Sequence, residues 1–156
     1  SPTAHAGYML RTSPDWSYVE ALRKEWDKAF VIKGVMRGAD AKRLEDCGVD
    51  AVWVSNHAGR QFDAAPATIE ALPKVRAATD LPVIFDSGIE GGLDVMRALA
   101  LGADFVMLGR AWHYGLAAFG AKGLPHVAEI FEKDLIANMQ QIGAQCLADL
   151  RGRAFV

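Results

Sequence analysis

Cysteine is scarce in this chain. Its 156 residues include 2 cysteines. Cys47 and Cys146 lie far apart and match no metal-ligand spacing, so free cytosolic thiols are expected rather than a disulfide. Long apolar runs are missing: none approaches the ~20 residues of a membrane span. The opening residues lack a basic region followed by an apolar core, so no secretory leader is expected. Charge of one sign is also missing. With 17 Lys and Arg against 19 Asp and Glu, the formal net charge is −2, which gives no electrostatic case for a nucleic-acid partner or an anionic membrane. A cytoplasmic protein is expected, with peripheral attachment to the inner face of a membrane left open. What remains is 51% hydrophobic and 23% charged, the composition of a globular domain long enough to bury a core.

The lead-in 1–12 has no periodicity and does not look like a natural beginning. Ser13-Pro14-Asp15 carries helix-start chemistry, and Trp16, Val19, Leu22 and Trp26 follow at helical spacing. An apolar strand interrupted by one lysine is expected over 30–35, and a helix over 39–47 with Ala41 and Leu44 on one face and Gly48 as its stop. A second strand spans 51–55. A helix over 67–78 contains Pro73, which should kink it or split off its first turn. Further strands are expected over 82–86 and 104–110, with a helix over 91–101 between them, stopped by Gly102. Helices over 111–119 and 124–142, broken by Gly120 and Gly123, and a short closing segment over 146–156 complete the chain.

Near-continuous apolar strands alternating with helices argue for a parallel sheet covered by helices. Each strand finishes in a chemical group: Lys33, then Ser55 and His57, then Asp86 with Ser87 and Gly88, then Gly109 with Arg110. Such groups, converging at the C-terminal ends of successive strands, describe a (β/α)8 barrel, of which this α/β chain carries about the last four βα units.

The stretch Ser55-Asn56-His57-Ala58-Gly59-Arg60-Gln61-Phe62-Asp63 turns abruptly polar after the run Ala51-Val52-Trp53-Val54. It brings a titratable base together with a permanent cation able to clamp a carboxylate through two hydrogen bonds. Asp86-Ser87-Gly88-Ile89-Glu90-Gly91-Gly92 ends a strand and opens a helix. With Gly109 and Arg110 it reads as a phosphate cradle made of glycine backbone, helix N–H groups and one cation. Lys33 reads either as a cation beside an electron-rich cofactor ring or as a Schiff-base nucleophile. His113, within Ala111-Trp112-His113-Tyr114, reads as part of an aromatic packing patch.

With these residues in view, the chain resembles the FMN-dependent α-hydroxy acid dehydrogenases and oxidases, in particular their L-lactate dehydrogenase branch. The signature 55–63, Ile32-Lys33-Gly34-Val35, Asp86-Ser87-Gly88-Ile89, Ala98-Leu99-Ala100-Leu101-Gly102-Ala103 and Leu108-Gly109-Arg110 match in order and spacing over about 13–143. The resemblance implies bound FMN and oxidation of an (S)-2-hydroxy acid, most simply L-lactate, to the keto acid. It implies His57 as the base and Arg60 as the clamp on the substrate carboxylate. Lys33 would lie against the flavin N1/C2 edge, and Ser55 would also touch the flavin. Asp86, Ser87 and Gly88 would line the ribityl chain, Ile89 and Glu90 would continue that loop along the cofactor, and Gly109 with Arg110 would hold the phosphate.

This sequence departs from the family pattern in three residues. Glu90 stands where the family usually has a phosphate-binding arginine, Ala58 where it has glycine, and Phe62 where it has leucine. In length, the chain resembles only the second half of the family barrel. The first half normally supplies the substrate-binding tyrosines and the aspartate that orients the histidine. Residues 1–156 are therefore expected to be the C-terminal half of an FMN-binding barrel, self-associating as a homo-oligomer or associating with an N-terminal half. The implied partners are a small 2-hydroxy acid and an electron acceptor, whether oxygen, quinone or cytochrome. The competing readings are an inactive half-barrel without cofactor and a Schiff-base aldolase built on Lys33.

Overall fold

Asp15 starts the first helix. Its carboxylate accepts the Tyr18 N–H at 3.0 Å, satisfying one of the donors that a helix start leaves unpaired. The computed structural model describes residues 14–153; the lead-in 1–12 and the last residues of the closing segment lie outside them. The first helix, α1, spans Trp16–Glu25, and Trp26 has already turned extended. Then follow β1 (Val31–Lys33), α2 (Gly38–Asp46), β2 (Ala51–Val54), α3 (Thr68–Arg76), β3 (Val83–Phe85), α4 (Gly92–Ala100), β4 (Phe105–Val106), α5 (Arg110–Phe119) and α6 (Gly123–Gln141). A short 3-10 turn, Leu147–Leu150, closes the described chain, and its Leu150 is fully buried.

All four strands are parallel, in the order β1-β2-β3-β4. Each new strand is added on the same side, with no reversal of direction. A doubly wound sheet would reverse, whereas a sheet on its way to closing as a barrel does not. The strand side chains alternate between two faces. Val52, Val54, Val83 and Phe85 point to the helix layer and are essentially inaccessible, packed with Leu44, Leu72, Val75 and Ala98 of α2, α3 and α4. Burying each such large side chain is worth about 1.5–3 kcal/mol. On the other face the register aligns Lys33 with Trp53, Trp53 with Ile84, and Ile84 with Phe105. A second, smaller cluster of Met96, Met139, Ala144 and Leu150 ties α4 to α6 and the closing turn.

Three expectations are corrected. Pro73 neither splits α3 nor takes its backbone out of helical geometry. Its ring lies on the exposed side of the helix, so the missing hydrogen bond falls where water can replace it. The fourth strand is shorter than 104–110, because its one neighbour, β3, ends at Phe85. The Met107 N–H makes a last bond to Phe85 O at 2.8 Å before the chain turns into α5. Gly123 does not break the last helix but begins it, because α5 crosses there too closely for a side chain. A Cβ on Gly123 would lie 1.8 Å from Gly115 O.

Asp104 ties β3 and β4 to the helices outside them. It accepts the Val83 N–H at 2.9 Å and pairs with Arg76 at 3.2 Å and with Arg151. Burial raises the pKa of its carboxyl, but the Val83 N–H and the two guanidiniums outweigh burial and hold it below the ordinary value. A lowered folded pKa gives stability that is present above about pH 4 and lost as the pH falls through the folded value. Asp104→Asn should therefore cost about 1 kcal/mol at neutral pH. It should also flatten the acid side of the stability curve, as measured by denaturant titration between pH 7 and pH 3. Among the described residues no helix is long and apolar enough to cross a membrane.

Candidate functional site

The strand tips surround a cleft of about 820 Å³. Lys33 ends β1, the 3-10 turn His57–Gly59 follows β2, Asp86 and Ser87 follow β3, and Gly109 and Arg110 lead from β4 into α5. Lys33, His57, Arg60, Asp86, Ser87, Gly88, Ile89, Glu90, Gly109 and Arg110 all line it. Ser55 is the exception among the residues singled out from sequence. It is buried, 2% exposed, and sits beneath the wall, where its Oγ accepts from Lys33 Nζ at 2.8 Å and from the His57 N–H at 3.1 Å.

Lys33 is a positioned cation. Its Nζ also lies 3.2 Å from Asp86 Oδ2 and 4.9 Å from the centre of the Trp53 ring. These contacts fix the side chain between Ser55, Asp86 and Trp53. Among the described residues, by contrast, neither Arg60 nor Arg110 has an ion-pair partner. Both guanidiniums therefore remain available to an anion.

His57 Nδ1 donates to Gln61 Oε1. An amide oxygen only accepts, so this contact engages the ring through Nδ1, and among the described residues Nε2 makes no hydrogen bond. Spacing did not single out Gln61; its place four residues after His57 on a tight turn is the only hint the sequence holds. The turn itself is strained. His57 has φ +56° and Ala58 φ +54°, and across the cleft wall Ser87 has φ +76°. Among the described residues these are the only non-glycines in the left-handed region, and all three line this cleft. Such strain persists only where its surroundings enforce it. Ala58→Gly should remove about 1 kcal/mol of it, seen as a rise in the denaturation midpoint with an unchanged slope.

The expected helix-start anion site after β3 is already filled. The Glu90 N–H is taken by Asp94 Oδ2 at 3.0 Å and the Leu93 N–H by Asp134 Oδ2 at 3.1 Å. Asp134 comes from α6, a contact no local pattern reveals. The start of α5 is the open one. Its N-cap, Gly109, offers no side chain to the first turn, and a Cβ at Gly88 or Gly109 would meet nothing within 4 Å. His113 is not in a packing patch. It is exposed on the cleft wall, with Nδ1 donating to Gly109 O at 3.1 Å. Trp53, also on the wall, has a buried Nε1–H without a partner.

A one-directional βα sheet with polar groups gathered at its C-terminal strand ends defines the class: part of a (β/α)8 barrel enzyme. Comparison with known proteins supplies the family. The profile of the FMN-dependent dehydrogenase family matches residues 1–156, and the chain belongs to that family, whose cofactor is FMN. It is 42% identical over 155 residues to an L-lactate dehydrogenase of Chromohalobacter salexigens, covering 98% of this chain and 40% of that protein. It is 43% identical over 149 residues to a pre-mycofactocin synthase of Mycobacterium tuberculosis, covering 94% and 38%. A soluble mutant of the membrane-associated (S)-mandelate dehydrogenase from Pseudomonas putida superposes with a TM-score of 0.84 at 40% identity, over 88% of this chain and 39% of that one. The chain thus spans about two fifths of the curated relatives' length.

Proposed function

We propose that this chain is the C-terminal half of an FMN-binding barrel whose intact form oxidises an (S)-2-hydroxy acid, most simply L-lactate, to the 2-keto acid. The supporting observation is that an imidazole held through Nδ1, an unpaired guanidinium and the positioned Lys33 side chain line one cleft. The residues present fit FMN. The open backbone at Gly88 and Gly109, the unpartnered Trp53 Nε1–H and the unpaired Arg110 suit a planar, polar and anionic ligand. Gly109 and Arg110 would hold the phosphate at the start of α5. Asp86, Ser87 and Gly88, continued by Ile89 and Glu90, would follow the ribityl chain. Lys33 would face the flavin from above Ser55. Bound FMN supplies the acceptor for the two electrons leaving the substrate's α-carbon.

The chain's own residues do the rest. Arg60 orients the substrate through its carboxylate. His57 takes a substrate proton at Nε2 while Gln61 holds the ring through Nδ1. Lys33 offers a fixed positive charge where negative charge develops. Relatives of three named activities, L-lactate dehydrogenase, pre-mycofactocin synthase and (S)-mandelate dehydrogenase, match about equally well; Arg60 favours a substrate that carries a carboxylate. Among the described residues β1 and β4 are edge strands with Val31 and Phe105 exposed, which supports association with an N-terminal half or a second copy. The visible spectrum of the intact protein tests the reading. A flavin band bleached by L-lactate under argon is expected. A colourless protein that takes up no FMN, or a bound flavin indifferent to 2-hydroxy acids, would overturn it.

A further inference from the structure

We propose that Ser87 is a positioning residue: its hydroxyl holds the His57–Arg60 turn in its left-handed conformation and joins it to the Lys33–Asp86 pair. The inference rests on the reading of the cleft given above. Ser87 has φ +76°, a conformation that costs any residue with a Cβ and that glycine would adopt freely. A serine here needs a compensation, and its hydroxyl provides one. Ser87 Oγ donates to Asp86 Oδ1 at 2.7 Å and accepts the Ala58 N–H at 3.0 Å.

Those two bonds close a circuit. Asp86 Oδ2 meets Lys33 Nζ, Lys33 Nζ donates to Ser55 Oγ, and Ser55 Oγ accepts the His57 N–H. Consecutive amides of one strained turn are thus held from two different strand ends, His57 by Ser55 and Ala58 by Ser87. Ser87 is itself anchored from behind, because its carbonyl accepts the hydroxyl of Thr68 at 3.0 Å, a buried residue at the start of α3. The base and the carboxylate clamp are therefore tied to β3, as well as to their own strand, through the Ser87 hydroxyl.

Two variants of the intact protein test this. Ser87→Gly removes the hydroxyl but relieves the backbone, so its melting temperature should stay within about 2 °C of the parent. Amide exchange at Ala58 should quicken at least tenfold. Flavin reduction by L-lactate, per bound flavin, should slow about tenfold, with any loss of FMN affinity, which a side chain beside the ribityl chain can also carry, staying under tenfold. Ser87→Ala should show the same exchange and rate effects with a melting temperature lower by about 4 °C, because the strain stays. A part that is only structural would lower the melting temperature and leave the rate per bound flavin unchanged, and that result overturns the proposal. So does unchanged Ala58 exchange in both variants. A loss of FMN affinity beyond tenfold with Ala58 still protected overturns it too, by making the hydroxyl a direct cofactor ligand. If the parent binds no flavin, the functional reading falls, and Ala58 exchange alone still decides whether Ser87 anchors the turn.

Discussion

Replacing His57 with asparagine is expected to slow flavin reduction by L-lactate by about 10²–10⁴-fold, the usual worth of a positioned base, or about 3–5 kcal/mol of barrier. Asparagine suits the test because it tolerates the left-handed backbone found at this position. The substituted residue also keeps the backbone N–H that Ser55 accepts. Stability and FMN affinity should therefore change little, and stopped-flow bleaching of the flavin isolates the proton-transfer defect. A variant that reduces its flavin at the parent rate would remove His57 from the chemistry.

Arg60 should produce the second large effect. Its guanidinium has no ion-pair partner among the described residues, so nothing within them competes with a substrate carboxylate for its fork of donors. Arg60→Met should lower kcat/KM for L-lactate about 10³-fold, near 4 kcal/mol. Arg60→Lys, which keeps the charge but loses the two-point geometry, should recover part of that, leaving a deficit of about 10–100-fold carried mainly by KM. A neutral ester of lactate should discriminate poorly among the three proteins. Equal kcat/KM for lactate in all three would show that the carboxylate is held elsewhere.

The parts of this molecule that local chemistry dictates could be read from the sequence. The apolar runs that precede the polar strand tips, Val31-Ile32, Ala51–Val54 and Val83–Phe85, became parallel strands because their side chains gain most from burial. The left-handed backbone at Gly48 and Gly102 ends α2 and α4 where the pattern placed their stops. Features that depend on distant partners were hidden. Pro73 looks like a helix breaker until one sees that its side of α3 faces solvent. The start of α4 looks open to an anion until Asp134, far along the chain, is seen to occupy it. The left-handed turn at His57, Ala58 and Ser87 carries no glycine at those positions, so the usual signal of such a backbone was missing. Trp53 gained its place at the cleft only through tertiary geometry, and Gln61 its contact with His57 only through the fold of the turn.

Asp134 also has a consequence for how the molecule comes apart. The same carboxylate that caps α4 lies in the middle of α6, and Gly92 fits directly against the α6 backbone at Leu135. The rim of the cleft after β3 is therefore tied to the terminal helix as well as to its own strand. Heat, a nick or a shortened C-terminus that frays α6 would uncap α4 and loosen that rim while the strands still held. Loss of ligand retention would then come before loss of secondary structure, an order of unfolding written by one side chain far from any chemistry.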